Sequence, residues 1–228
     1  MIAHDLQSPL HFLSKVAGHL RKKLGQNNLP EMSRTAEDLK NTTDQVYQFV
    51  AEFNLWASTF QESFSLHKTS FILNELLQEL ALFFKEMLRA NDNKLVILTP
   101  ANYCLHTDRG LLKIILRNIL DNANKHSQGC HIQISAETEK DGFIAITFTD
   151  TGEGMNKDTL QKIQERIAHA STADAIEQNS RMGYQMIIDF AIRINAELKV
   201  ASERGKGTSV TLYVAGGVSE QNPGNRLV

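Results

Sequence analysis

The sequence predicts an α+β protein in which a helical hairpin precedes a layered domain of strands and helices, and three observations predict it. Apolar residues step by three or four through about the first 60 positions. Beyond them, short β-branched runs alternate with amphipathic helical runs. Turn-forming stretches such as Glu139–Gly142 and Glu203–Gly207 separate the runs. The length of 228 residues allows one large domain or two small ones at about 100–200 residues each. A hydrophobic content of 42% is enough for a real core and excludes a wholly disordered chain. The 24 basic and 26 acidic residues leave a net charge of −2, so there is no basic surplus for nucleic acid or an anionic membrane. Cys104 and Cys130 are too few for a disulfide framework and read as reduced thiols in a cytosolic setting. The longest apolar run, around Leu80 to Phe84, falls far short of the roughly 20 residues of a spanning helix. No signal peptide is visible at the N-terminus.

The first helix is expected over residues 2–24, where Leu6, Leu10, Leu13, Val16, Leu20 and Leu24 share one face. Gly25 and the turn-like stretch to Pro30 end it. A second helix follows from about Glu31 to Phe60. Its heptad seam runs through Met32, Leu39, Val46 and Phe53, with Ala36, Val50 and Ala57 in the alternate slots. Phe49 and Trp56 widen the stripe, which favours a four-helix bundle made by two chains over a monomeric hairpin packed on the rest of the protein. The boundary is expected near Gln61 to Lys68. The second part should hold helices over 73–91, 108–125 and 183–195. Its strands are expected over 94–98, 131–136, 143–149, 197–202 and 208–214. The polar stretch from Ile167 to Arg181 has no clean period and is long enough for a lid. Residues 216–228 read as a frayed tail.

Four segments carry residues suited to chemistry. In His4-Asp5-Leu6-Gln7-Ser8-Pro9-Leu10, a neutral imidazole is a competent nucleophile and Asp5 could accept its other ring proton. Pro9 would bend the helix just after it. The alternative is a surface histidine beside an acidic residue that complements the helix dipole. In Asn118 to His126, Asn118 and Asn122 are four apart on one face and Lys125 lies three further on. Two amides and an ammonium along one edge suit a hydrated Mg²⁺ and phosphate oxygens, whereas a plain solvated face would not favour so many poor helix formers. Asp150-Thr151-Gly152-Glu153-Gly154 follows a strand directly. Asp150 has the parity of Ile144 and Phe148, so its carboxylate should point to the covered side and need a donor. An adenine amino group could supply one, and a tight turn is the competing account. Gly205-Lys206-Gly207-Thr208 is explained by a hairpin turn alone.

In this order, the four segments resemble the transmitter core of two-component sensor histidine kinases. The likeness runs from His4 to about Val214. It implies a dimerisation and phosphoacceptor hairpin over 1–62, an α/β sandwich ATP-binding domain over 63–216 and a flexible tail over 217–228. His4 would accept the γ-phosphoryl group of ATP, Asp5 would raise its nucleophilicity, and Ser8 stands where a polar residue positions water for dephosphorylating the partner. Asn122 would hold Mg²⁺, with Asn118 and Lys125 at the phosphates. Asp150 would read adenine, Gly152, Gly154 and Thr208 would shape the pocket, and Gly183 would approach the phosphates. Catalysis would be mostly positioning and charge neutralisation. The resemblance further implies a homodimer, a response-regulator receiver domain as partner, and a cytoplasmic location. With His4 only three residues from Met1, the native helix is expected to begin upstream, together with any sensor or membrane segment. One stretch departs from the pattern. Where the family shows Gly-x-Gly-Leu-Gly-Leu, this chain has Ser180-Arg181-Met182-Gly183-Tyr184-Gln185-Met186. Arg181 would then offer the phosphates a cationic fork in place of backbone amides. The alternative implied by that departure is a catalytically weak or inactive dimerisation and nucleotide-sensing module.

Overall fold

In the computed structural model the described residues are 39–40, 43, 47, 50–51, 53–59, 64–139, 142–169 and 182–218. The chain divides into two compact units, Met1–Phe64 with Glu177–Met182 and Ser65–Ile176 with Gly183–Val228. In the first, the described residues between 39 and 58 are helical, and the Phe53 and Trp56 rings lie 5.7 Å apart. The expected first helix, with His4, Asp5 and Ser8, lies outside the described residues.

The second unit is a seven-stranded mixed sheet with helices on its apolar face. Its elements in chain order are β1 (Lys68–Ile72), α1 (Leu73–Ala90), β2 (Lys94–Leu98), β3 (Tyr103–Asp108), α2 (Arg109–Lys125), β4 (His131–Thr138), β5 (Phe143–Asp150), α3 (Lys157–His169), α4 (Met182–Arg193), β6 (Glu197–Glu203) and β7 (Gly207–Val218). The strand order is β1-β3-β7-β5-β4-β2, and β6 also pairs with β7. β2 runs parallel to β4, and every other pair is antiparallel.

The period-2 alternation of the strands builds this face. Ile132, Ile134, Ile144, Ile146, Phe148, Val210, Leu212 and Val214 are buried. On the opposite face Thr147 meets Thr211 at 3.0 Å and Thr149 meets Ser209 at 3.2 Å. The helices bury the matching stripes. Leu73, Leu76, Leu77, Leu80, Phe84 and Leu88 line α1, and Leu112, Ile115, Leu116, Ile119 and Leu120 line α2. α2 lies against β1, β3 and β5, and α1 lies against α2, β2 and β3. Glu79 of α1 pairs with both Arg109 and Lys113 of α2. α3 lies along β6, where Gln164 Nε2 donates to the Val200 carbonyl at 3.1 Å.

Three elements go beyond the sequence expectations, and one expectation is corrected. β1 and β3 pair with each other at one edge. α3 takes in Ile167 to His169, the start of the polar stretch read as long enough for a lid. Residues 216–218, expected to belong to a frayed tail, instead continue β7 to Val218, and Gly216, Gly217 and Val218 pair with Leu105, Cys104 and Tyr103. Among the described residues no helix is long and apolar enough to cross a membrane. Cys104 and Cys130 are both free.

α2 starts where it does because Asp108 caps it. Its Oδ1 accepts the Leu111 N–H at 3.1 Å, and its Oδ2 accepts the His67 N–H at 2.8 Å. Asp108→Ala is expected to cost about 1 kcal/mol of unfolding free energy, the usual worth of such a cap. A lower urea midpoint with an unchanged slope would show it.

Candidate nucleotide site

The site is built where β5 ends. Asp150 pairs across the sheet with Ile132 on one side and Thr208 on the other. Its side chain takes the parity of Ile144, Ile146 and Phe148, so it points to the helix-covered side and is 7% exposed. Oδ1 accepts the backbone N–H of Gly152 at 2.9 Å and of Thr208 at 3.3 Å. Burial nevertheless pushes the carboxyl above its ordinary value of 3.8, and these two N–H groups and the nearby His126 only partly oppose it. The folded protein therefore holds this proton more tightly than the unfolded chain does. Asp150 adds stability below its unfolded value and loses it as pH rises through the raised folded value, so at neutral pH the buried charge is a net cost.

Two glycine loops close around this carboxylate. A Cβ on Gly152 would lie 2.4 Å from the His126 carbonyl and 2.5 Å from Ser127 Oγ. A Cβ on Gly207, at φ 99°, would lie 1.9 Å from the Asp150 carbonyl. Both positions need a residue without a side chain. The loops are tied together by Gly205 N–H to the Glu153 carbonyl at 2.7 Å and by Met155 N–H to Ser202 Oγ at 2.8 Å. Ser202 Oγ also donates to the Gly207 carbonyl at 2.9 Å and meets Thr208 Oγ1 at 2.9 Å. Gly154, at φ 62°, packs on Glu203, whose carbonyl would be 2.1 Å from a Cβ there.

The end of α2 closes the other side. Glu153 N–H donates to the His126 carbonyl at 3.2 Å, and His126 Nδ1 lies 2.8 Å from Glu153 Oε1. Asn122 Nδ2 is buried with no hydrogen-bond partner among the described residues, and the buried Ser127 hydroxyl helps to oppose the rise at Asp150. A buried polar atom without a partner costs free energy until a ligand or water completes it. Asn118 Nδ2 instead donates to the Ile114 carbonyl at 2.9 Å, and Lys125 Nζ pairs with Asp121 at 2.6 Å on its own helix. That exposed pair is worth about 0–1 kcal/mol, so the ammonium is cheaply released to a stronger anion.

The structure thus brings Asp150, Gly152, Gly154 and Thr208 together and joins them to the end of α2 through His126 and Ser127. Gly183 is the second residue of α4, and Arg181 lies outside the described residues. Ser127, Glu153, Ser202 and Tyr184 join the site without having been singled out. Tyr184, half-buried at the start of α4, has its phenol pushed up to about 12 by burial and by the charge of Asp150. Its clue was its place directly after Gly183. Ser202 had no local signal, since it meets the loops through the β6–β7 register and the Met155 N–H.

A buried carboxylate beneath two glycine loops, beside a helix end with one open amide, suits a nucleotide. Residues 107–216 match the family of histidine kinase-, DNA gyrase B- and HSP90-like ATPases. The chain is 23% identical over 221 residues to the autoinducer 2 sensor kinase/phosphatase LuxQ of Vibrio vulnificus, covering 93% of this chain and 25% of that protein. It is 35% identical over 109 residues to the sensor protein kinase GraS of Staphylococcus aureus, covering 47% of this chain and 31% of that protein. The chain therefore spans about a quarter to a third of the length of these relatives. The histidine kinase AdeS of Acinetobacter baumannii has the same fold, with a TM-score of 0.66 at 12% identity over 93% of this chain and 97% of that one. The histidine kinase ThkA, solved in complex with the response regulator protein TrrA, matches with a TM-score of 0.59 at 17% identity over 93% of this chain and 59% of that one. Residues 107–216 thus match the ATPase family named above, and together the likenesses support the ATP-binding region of a sensor histidine kinase transmitter.

Two outcomes follow from the geometry. Asp150→Asn removes the buried charge and keeps an oxygen for both N–H groups. Its Tm should exceed that of the unchanged protein at pH 7, and differential scanning calorimetry at decreasing pH should show the gap closing as Asp150 becomes protonated. Gly207→Ala meets both a positive φ and the Asp150 carbonyl, and should cost at least about 2 kcal/mol in chemical denaturation.

Proposed function

We propose that this chain is the kinase core of a two-component system, which binds ATP at the Asp150 site, transfers the γ-phosphoryl group to His4 and passes it to an aspartate of a response-regulator receiver domain. The observation that carries the reading is the buried, raised carboxylate of Asp150 held by the Gly152 and Thr208 amides. Such a group accepts from an exocyclic amino group, as adenine offers, and repels a carbonyl at the same place. Asn118, Asn122 and Lys125 extend the site along α2 towards the phosphates.

Among the described residues no three His, Cys, Asp or Glu side chains converge as a ready metal centre. A Mg²⁺ ion shared with the phosphates fits the donors better. The open Asn122 Nδ2 is a donor suited to a phosphate oxygen, its side-chain oxygen would be the hard ligand for the ion, and the ion, when bound, would neutralise charge on the phosphate oxygens. Gly183 lies in the first turn of α4, whose leading N–H groups have no intrahelical acceptor and suit an anion. Arg181 would add a cation just before it. Gly152 and Gly154 let the backbone approach the base, and Thr208 fixes the near side of the carboxylate.

The remaining roles rest on the resemblance of the leading segment. His4 is the acceptor, Asp5 raises its nucleophilicity, and Ser8 directs water in dephosphorylation of the partner. A phosphoacceptor hairpin over 1–62, paired with a second copy as a four-helix bundle, precedes the ATP-binding domain. The relation to ThkA, solved with a response regulator, supports a partner of that class. The reading locates the chain in the cytoplasm, as the inner part of a sensor whose input segments lie elsewhere in the protein. A second reading, a nucleotide-sensing module with weak or no turnover, is favoured by Gly183 being the single glycine between Ser180 and Met186.

Incubation with γ-labelled ATP and Mg²⁺ should give acid-labile, base-stable label that is lost in His4→Gln. ATP binding without label would favour the sensing module. Asp150→Asn should weaken ATP binding by about 10- to 100-fold, the worth of a hydrogen bond to a charged group. Calorimetry showing no heat from Mg²⁺-ATP with the folded protein would overturn both readings.

A further inference from the structure

The end of α2 is held from outside the candidate pocket by one buried amide. Asn93 lies in the turn between α1 and β2, directly after Asp92, which adopts φ 53°. Asn93 is 7% exposed. Its Nδ2 donates to Asn124 Oδ1 at 2.9 Å, to the Ser127 carbonyl at 3.0 Å and to the Asn124 carbonyl at 3.3 Å. Its Oδ1 accepts the Cys130 N–H at 3.0 Å. Asn91 reinforces the arrangement. Its Nδ2 donates to the Asn124 carbonyl at 3.1 Å, and its carbonyl accepts the Gly129 N–H at 2.9 Å.

The last carbonyls of a helix have no intrahelical donor. Here the amide of Asn93 supplies one, and it also grips the chain on both sides of the helix end, at Asn124 and at Ser127. The site's α2 groups lie within or beside that grip: the Asn122 amide, the His126 carbonyl that takes Glu153 N–H, and the Ser127 hydroxyl beneath Gly152. Moving the helix end would therefore move the Asn122 side and the Gly152–Glu153 loop together.

We infer that Asn93 is a positioning residue of the nucleotide site, setting the last turn of α2 so that the Asn122 amide and the Asp150 loop address one ligand together. The inference rests on the nucleotide-binding reading above. The chemistry is specific to an amide. Aspartate at this position keeps the acceptor for Cys130 but loses the donors, and sets a negative oxygen against the Asn124 and Ser127 oxygens.

The test compares Asn93→Asp with Leu76→Val, a core change in α1. Both are measured by thermal unfolding and by calorimetry with Mg²⁺-ATP at a temperature where each is folded. Asn93→Asp should bind at least about tenfold more weakly, as misplacement of a positioned group does. The Glu153 amide should also exchange faster with deuterium. Leu76→Val should keep the affinity of the unchanged protein. If Asn93→Asp does not fold, Asn93→Ser carries the same comparison. Unchanged affinity in the folded Asn93 variant would overturn the inference. So would an affinity loss in Leu76→Val that matches its loss of Tm, because Asn93 would then be merely structural. Absence of binding by the unchanged protein would instead remove the nucleotide reading, and this inference with it.

Discussion

The second unit is organised around one desolvated carboxylate. Asp150 sits where water is excluded, at the end of a central strand, and its charge is held by backbone N–H groups rather than by a buried cation. That choice constrains its surroundings. The backbone must approach closely at Gly152 and Gly207, and a side chain at either place would occupy space already filled by carbonyls. The β5–β7 register must put Thr208 beside Asp150, which fixes the pairing of both strands along their lengths. A group that costs stability when empty is expected where stability has been exchanged for recognition.

A second, polar layer surrounds this centre. His126, Glu153, Ser202 and Gly205 stitch the two loops to each other and to α2, mostly through backbone groups. The Asn91–Asn93 turn fixes α2 from the far side. Three separate stretches of chain thus meet at one helix end. Asn122 Nδ2, at the end of α2, is left open within this layer.

Much of this was legible from local pattern. Asp150 could be placed on the covered face because strand parity is strictly two, and α1 and α2 could be delimited because their buried residues keep helical spacing. β3 also obeys parity, since Tyr103, Leu105 and Thr107 are buried in alternation, but Cys104 and His106 between them diluted the signal. β1 holds only Phe71 and Ile72 as apolar residues, as an exposed edge strand can. α3 shows few apolar residues over its 13 positions, and Ile163 is its buried anchor. Asn93, Ser127 and Ser202 were beyond reach for a different reason. The partners of Asn93 lie 31 to 37 positions away and Met155, which donates to Ser202, lies 47 away, and nothing in an Asn or a Ser announces which distant group it will meet. The leading segment with His4 was read from sequence and lies outside the described residues.

The long β7 strand has a consequence for how the domain is made. It borders β5, β6 and β3, so the sheet lacks its middle until the chain has been synthesised through Val218. On the ribosome, β3 and β5 must each wait with one unpaired edge while the remainder emerges at about 5–20 residues per second. The binding loops cannot assemble early either, because the Thr208 amide that Asp150 requires arrives 58 positions later. Contacts this distant in sequence slow folding. A nascent chain of this kind is a natural client for chaperones, and it gains its ligand-binding ability only at the end of translation of this domain.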